Sequence, residues 1–273
     1  MPKPISSPRR FKHHPVSHKP RQANTTSWEN SSSWYEKLVG SGGHYYHQKI
    51  IIPGVVRLLK LERESRLLDL GCGQGVLART LTKHQGYLGV DASSQLIKHA
   101  QAYDTKHLHS YLLADATKPL TSVERNFTHA AAILSLQNME HPEGAIRNAG
   151  ACLVPGGTFV IVLNHPYYRI PRQSGWGVNE ESDKQYRWVT AYMSSFTIPI
   201  VMHPGQKEKS SDTVSFHQPL TKYIEYLAAA GFGVVAIEEW VSDKKNEPGP
   251  HAKREDTARA EIPLFMAIVA KKL

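Results

Sequence analysis

Three carboxylates stand at the ends of short apolar runs: Asp69 in RLLDLGCGQG, Asp91 in GYLGVDAS and Asp115 in SYLLADAT. The first run leads into Gly71, Gly73 and Gly75. Lacking Cβ atoms, such a loop can turn sharply and bring its backbone against a ligand. Its spacing is GxGxG; the dinucleotide pattern GxGxxG would need glycine at 76, where this chain has Val76, so a pyrophosphate site is disfavoured. Asp91 lies about 20 residues beyond the first glycine, where a carboxylate can accept hydrogen bonds from both hydroxyls of a ribose. Asp115, with the N–H of Ala116 beside it, is placed to meet an exocyclic amine. Together they describe an adenosine. A strand-end Asp can instead merely cap the next helix, and Asp91 before Ser93 could do so. Three such ends in register favour a ligand. Cys72 reads as a small residue tolerated in the loop, because no activating base adjoins it.

These residues need elements to hold them. From residue 44 the stretch HYYHQKIIIPGVVRLLKL is apolar at helical spacing and interrupted at Pro53 and Gly54, which predicts an entry helix or two. Apolar runs then alternate with helical stretches: RLLDLGC and a helix from Gly75, GYLGVDA and a helix from Ser93, LHSYLLADA, then FTHAAAILSLQ and a helix from Pro142 to Leu153. The turn PGG at 155–157 leads into GTFVIVLN. Such alternation predicts crossover units and a mostly parallel sheet buried on both faces. The helix from Gly75 would present free N–H groups and a positive dipole end to an anion.

After Asn164 the alternation stops. Residues 165–217 are rich in Tyr, Trp, Arg and His, with strand-like pieces QYRWVTAYM, FTIPIVM and TVSFH around the polar turn QKEKSSD. A helix from Pro219 to Ala230, a strand VVAIEEWV, a long polar loop from Ser242 to Ile262 and a last strand PLFMAIVAKK complete the chain. Two neighbouring strands joined by loop are most simply antiparallel.

In this order and spacing the segments resemble the class I S-adenosylmethionine-dependent methyltransferases, the small-molecule branch in particular. DLGCGQG is similar to the first motif of that family, GVDAS to its ribose acid, ADAT to its adenine contact, ILSLQNMEH to its fourth strand and LVPGGTFVIV to its turn and fifth strand. The resemblance implies a Rossmann-like, doubly wound α/β sheet of seven strands, mostly parallel with an antiparallel C-terminal strand, plus a cap insertion. It implies S-adenosyl-L-methionine as cofactor, with the methionine end over Gly71 to Gly73 and Asp69 near its amino group. Asp91 would hold the ribose, and Asp115 with Ala116 the adenine; Cys72, Ala92 and Ser135 complete the expected contacts. The N-terminal residues Tyr35, Tyr45, Tyr46 and His47 are expected to close over the cofactor as in relatives.

Methyl transfer from a sulfonium is an in-line displacement whose leaving group departs neutral, so alignment does most of the work. A base is needed only where the acceptor must lose a proton. The acceptor is expected over the ends of the fourth and fifth strands, near Ser135, Gln137 and Asn138 and near Asn164 to Tyr168. His165 and His217, at the two ends of the insertion, are the candidate bases, since imidazole titrates near neutral pH; a hydrogen-bonded structural role is the plainer alternative for both. Trp176, Tyr186, Trp188 and Tyr192 are expected to wall an apolar pocket in a cap over 165–217. Arg169 or Arg172 would meet an anionic group.

The formal charge of +9 over 273 residues looks like a nucleic-acid signal until it is located. Residues 1–28 hold Lys3, Arg9, Arg10, Lys12, Lys19 and Arg21 without a single acid, and five prolines. That stretch reads as a disordered basic tail, with His13, His14 and His18 as tail residues rather than metal ligands; residues 29–273 form the methyltransferase domain. No metal is expected, since no cluster has ligand spacing. Cys72 and Cys152 do not suggest a disulfide framework, and no apolar window is long enough to span a membrane. A cytoplasmic enzyme with a small-molecule acceptor is the leading expectation. Its rivals are an RNA or protein methyltransferase docking through the tail, an NAD-binding oxidoreductase, and a non-catalytic nucleoside-binding relative.

Overall fold

The computed structural model describes residues 43–201 and 212–273. The basic tail, Tyr35 and most of the QKEKSSD turn lie outside these. Seven strands form the main sheet: β1 (Arg66–Leu70), β2 (Gly86–Asp91), β3 (Ser110–Leu113), β4 (Phe127–Ile133), β5 (Leu153–Asn164), β10 (Phe232–Trp240) and β11 (Phe265–Lys272). Between β5 and β10 come β6 (Ser174–Asn179), β7 (Lys184–Val189), β8 (Phe196–Val201) and β9 (Asp212–His217). The main sheet runs β10-β11-β5-β4-β1-β2-β3. The first five strands pair in parallel, and β11 is antiparallel to both β5 and β10. The parallel strands are those the alternating runs predict, and the Rossmann-like order with its antiparallel C-terminal strand is the one the resemblance implies.

Both faces of the sheet are covered, which is why its central strands read as continuous apolar runs. Phe159, Ile161 and Leu163 of β5 face one core, with Ile146 and Ala149 of α3 (Pro142–Cys152) and Tyr223 and Leu227 of α4 (Leu220–Ala229). Val160 and Val162 face the other, with Ile52, Val55 and Leu59 of α1 (Ile52–Leu59). The remaining helices are α2 (Ser94–Tyr103) and α5 (Ala252–Glu261). Among the described residues no helix is long and apolar enough to cross a membrane.

Three expectations are corrected. Pro53 and Gly54 do not break the entry helix: a π-turn over His47–Ile51 runs straight into α1, with Pro53 in the first turn of α1. Gly54 makes room for Trp240, whose ring would lie 2.6 Å from any Cβ there. No α-helix starts at Gly75. The chain passes through turns and a single 3-10 turn, Ala78–Thr80, before β2. Finally, the polar stretch 242–262 contains α5, on which only Ala258 is buried. A helix with no apolar stripe gives no periodic signal; side-chain pairs such as Arg259 with Glu255 support it instead.

The insertion is not structureless. β6 and β7 form one antiparallel hairpin, β8 and β9 another. On the first, Trp188 and Tyr186 lie across Gly175 and Gly177 of the partner strand, where a Cβ would come within 2.4 and 2.5 Å of their rings.

Candidate cofactor and acceptor site

The loop after β1 is held in shape by its glycines and by the next strand. Gly71, Gly73 and Gly75 have φ of +76°, +55° and +72°, a region costly for residues with a Cβ. The N–H groups of Gly71 and Cys72 donate to the Val90 carbonyl at 2.7 and 3.1 Å. Asp91 closes the loop: one carboxylate oxygen accepts from the Gly73 N–H and the other from the Ser93 N–H, both at 2.9 Å. Two charge-assisted bonds to backbone thus fix the loop's shape. Ser93 is the N-cap of α2, accepting from the Leu96 N–H, so the capping role falls on Ser93 and the acid grips the loop. Arg79 donates to the Gln74 carbonyl at 2.7 Å and braces the loop from behind.

Beyond β3, Asp115 folds the chain back by accepting from the N–H and the hydroxyl of Thr117 at 2.9 and 2.7 Å. The buried Asn148 of α3 pins this turn, donating to the carbonyls of Ala116 and Lys118 at 2.8 and 2.7 Å and accepting from the Leu120 N–H. Asn148 was missed from sequence, although a polar side chain within the small and apolar PEGAIRNAGAC was a signal for it. At the end of β4, the Ser135 hydroxyl donates to the Leu70 carbonyl at 2.7 Å and ties β4 to β1.

These ends open into one cleft of about 980 Å³. Gly71, Gly73, Asp91, Ala92, Asp115, Ala116 and Ser135 all line it, as do Gln137, Asn138 and Asn164. The floor at Gly73 is bare: a Cβ built there meets nothing within 4 Å. The roof comes from the second hairpin, through Ile198, Ile200, Thr213 and Ser215, with the Ser215 hydroxyl donating to the Gln137 carbonyl at 3.2 Å. The expected aromatic wall is therefore corrected: Tyr186 and Trp188 sit half-exposed on the other hairpin, and the cleft is walled by β8 and β9.

Asp69 and Cys72, also expected at the cofactor, do not line the cleft. The Cys72 thiol turns against Gly89, where a Cβ would come within 2.8 Å of Sγ, and burial pushes its pKa well up, so it stays a neutral thiol. Asp69 is buried beneath the loop and accepts the Tyr87 hydroxyl at 2.8 Å. Burial pushes its carboxyl up to about 7, Asp91 adds to the rise, and the Tyr87 bond opposes it. The folded protein therefore holds a proton here that the unfolded chain has already released. This contribution to stability is complete below the ordinary value of 3.8 and lost progressively as pH rises towards about 7. Asp69→Asn, which keeps an acceptor for Tyr87 and cannot ionise, is expected to gain melting temperature relative to the wild type between pH 4 and 8. Parallel melting curves across that range would sink the assignment.

The two candidate bases differ. His165 is buried and does not line the cleft. Its Nδ1 accepts from the N–H groups of Tyr167 and Tyr168, and its Nε2 donates to Glu239 at 2.7 Å. Both ring nitrogens are occupied, one by the turn and the other by Glu239 of β10, so the geometry gives His165 a positioning role. His217 does line the cleft. Its Nε2 donates to the Tyr192 carbonyl at 2.8 Å; a carbonyl can only accept, so the lone pair resides on Nδ1. Burial lowers its pKa, which keeps the ring neutral at pH 7. His47, named only among the N-terminal aromatics, also lines the cleft with a buried Nδ1 that lacks a partner.

The fold and the cleft define a Rossmann-like α/β protein with one large cleft at the carboxyl ends of its strands. The chain belongs to the methyltransferase-domain family, whose model matches residues 43–237. It is 24% identical over 141 residues to a ubiquinone biosynthesis O-methyltransferase of Hydrogenovibrio crunogenus, covering 50% of this chain and 58% of that protein. A protein of the same name from Coxiella burnetii is 31% identical over 109 residues, covering 37% and 47% respectively. The chain thus spans only about half the length of the curated relatives it matches. In three dimensions it is similar to an S-adenosylmethionine-dependent methyltransferase of Mesorhizobium loti, with a TM-score of 0.63 and 24% identity over 81% of this chain and 96% of the other. The CcbJ methyltransferase of Streptomyces caelestis gives a TM-score of 0.61 at 17% identity over 92% and 99%. These two likenesses concern the fold.

Proposed function

We propose that the chain is an S-adenosyl-L-methionine-dependent methyltransferase acting on a hydroxyl of a small molecule. One observation carries the reading: the bare floor at Gly73, the Asp91 carboxylate and the Asp115–Ala116 turn line a single cleft in a chain of the methyltransferase-domain family. These residues fit the cofactor. A carboxylate offers about four lone-pair sites, so Asp91 can hold its two backbone donors and still accept ribose hydroxyls. Gly71 and Gly73 leave room for the methionine end. The bound cofactor would supply an electrophilic methyl group on a sulfonium.

The chain's own residues then have three tasks. The glycine loop and Asp91 orient the donor, the β8–β9 hairpin keeps water from the reacting atoms, and Nδ1 of His217 takes the proton of the acceptor hydroxyl. Oxygen as the methylated atom is supported by the names of the curated relatives. A cytoplasmic setting is supported by two cysteines that remain free thiols, Cys72 and Cys152.

Calorimetry with S-adenosylhomocysteine and with NAD is the direct test. A clean isotherm for NAD and no heat for S-adenosylhomocysteine would end the reading. For the base, His217→Gln is expected to slow turnover by about 10²–10⁴-fold. In the wild type the rate should fall as pH drops through a value below 6.5, where His217 takes up a proton; the variant should lack that limb. Retention of the acid limb would remove His217 from this role.

A further inference from the structure

Arg169 lines the cleft on the turn that follows β5, and burial together with neighbouring Arg187 holds its guanidinium down to about 10. Among the described residues no carboxylate lies within ion-pair distance of it, whereas Arg254 and Arg259 of α5 each have one. Its Nε is buried and makes no hydrogen bond. The guanidinium lies over the Trp176 ring, 6.0 Å from the centroid, and Arg187 lies over the same ring at 5.2 Å. Arg187 is already satisfied, donating to the Tyr168 carbonyl at 2.8 Å and the Ser174 hydroxyl at 2.9 Å. Two cations therefore share one indole, and the one that faces the cleft lacks a counter-charge.

A half-buried guanidinium without an anion is costly, and the energy is recovered only when one arrives. Its mounting is rigid. The Arg169 N–H donates to the His165 carbonyl at 2.9 Å, and His165 is itself locked between Glu239 and the N–H groups of Tyr167 and Tyr168. His165 thus positions the turn that carries Arg169. Arg172, the alternative anion partner, is exposed and does not line the cleft.

We infer that Arg169 is the seat of a carboxylate on the methyl acceptor, so that the substrate is a small hydroxylated acid held by its carboxylate at one end of the cleft and methylated near His217. The planar fork of arginine matches a carboxylate through two parallel hydrogen bonds. The carboxylate of the cofactor's methionine is the other source of the same chemistry. Sheet order argues for the acceptor: Arg169 follows β5, and β4 stands between β5 and the β1–β2–β3 ends that form the adenosine side. This inference rests on the methyltransferase reading for the identity of the acceptor, but not for the anion seat.

The test uses benzoate and benzamide as probes on the whole chain saturated with S-adenosylhomocysteine, followed by ligand-observed NMR. Benzoate is expected to bind in the millimolar range and benzamide at least tenfold more weakly. Arg169→Gln should bring benzoate down to the benzamide level while leaving S-adenosylhomocysteine affinity within threefold. Equal binding of acid and amide, or no benzoate binding, overturns the proposal, and so does an unaffected Arg169→Gln. If S-adenosylhomocysteine abolishes benzoate binding, or if Arg169→Gln weakens S-adenosylhomocysteine itself tenfold or more, the seat belongs to the cofactor and the acceptor assignment fails. Should Arg169→Gln not fold, the wild-type contrast of acid with amide decides alone. Failure of S-adenosylhomocysteine to bind at all would count against the enzymatic reading; benzoate titrated without it would still test the anion seat.

Discussion

Asp91→Ala is expected to weaken S-adenosylhomocysteine binding by at least about 100-fold, which corresponds to roughly 2.7 kcal/mol. The loss has two origins. The ribose loses its acceptor, and the N–H groups of Gly73 and Ser93, each bonded to the carboxylate at 2.9 Å, lose theirs. Bonds to a charged group contribute about 1.5–3 kcal/mol each, and the Gly73 bond sets the height of the loop floor. Asp91→Asn should not rescue binding. It offers one acceptor oxygen where two are needed, and its amide would turn an N–H towards Gly73 or Ser93. Calorimetry gives the affinity, and a circular dichroism melt separates lost binding from lost fold. Affinity within fivefold of the wild type in a folded Asp91→Ala protein would mean that neither the carboxylate nor the loop shape it sets is needed by the ligand.

The second large effect lies away from the cleft floor. Gly144, in the first turns of α3, packs so closely on the Asp115 turn that an added Cβ would stand 2.1 Å from the Thr117 carbonyl oxygen and 2.9 Å from its carbon. Helix propensity alone favours Gly144→Ala, by about 1 kcal/mol. The contact reverses the sign, because the obstacle is backbone and cannot rotate away. Either α3 withdraws, or the turn moves and the Asn148 bonds to Ala116 and Lys118 break. Overpacking of this kind costs about 1–3 kcal/mol, a fall in melting temperature of several degrees for a chain of this size. S-adenosylhomocysteine affinity should fall about tenfold as the adenine side of the cleft shifts. Asn148→Ala removes the same bonds without the clash and should reproduce the affinity loss with a smaller change in melting temperature. A Gly144→Ala protein that melts higher than the wild type would show that the helix and the turn are more loosely apposed than described.

How much was legible follows from which forces are local. The alternation of apolar runs with helical stretches was readable because both faces of the sheet are buried, so β1, β2, β4 and β5 carry continuous apolar sequence. The strand-like pieces of the insertion became β7, β8 and β9. The α5 helix was not readable, since a helix solvated on nearly every side leaves no period to detect. The helix expected after Gly75 is absent, and the glycine loop is held instead by Asp91 of the next strand, a contact that local propensity does not encode.

The same division runs through the site. Residue type and spacing by themselves pointed to Gly71, Gly73, Asp91 and Asp115 as one site, and all four line a single cleft, because strand ends of a parallel sheet converge wherever crossover units repeat. Only the tertiary structure decided which way the side chains turn: Cys72 and Asp69 away from the cleft, His217 into it and His165 out of it. It also placed Asn148 and Gly144 behind the turn at Asp115 and left Arg169 in the cleft without a counter-charge. Those outcomes depend on hydrogen bonds and contacts between residues far apart along the chain, and no pattern of neighbours in sequence carries that information.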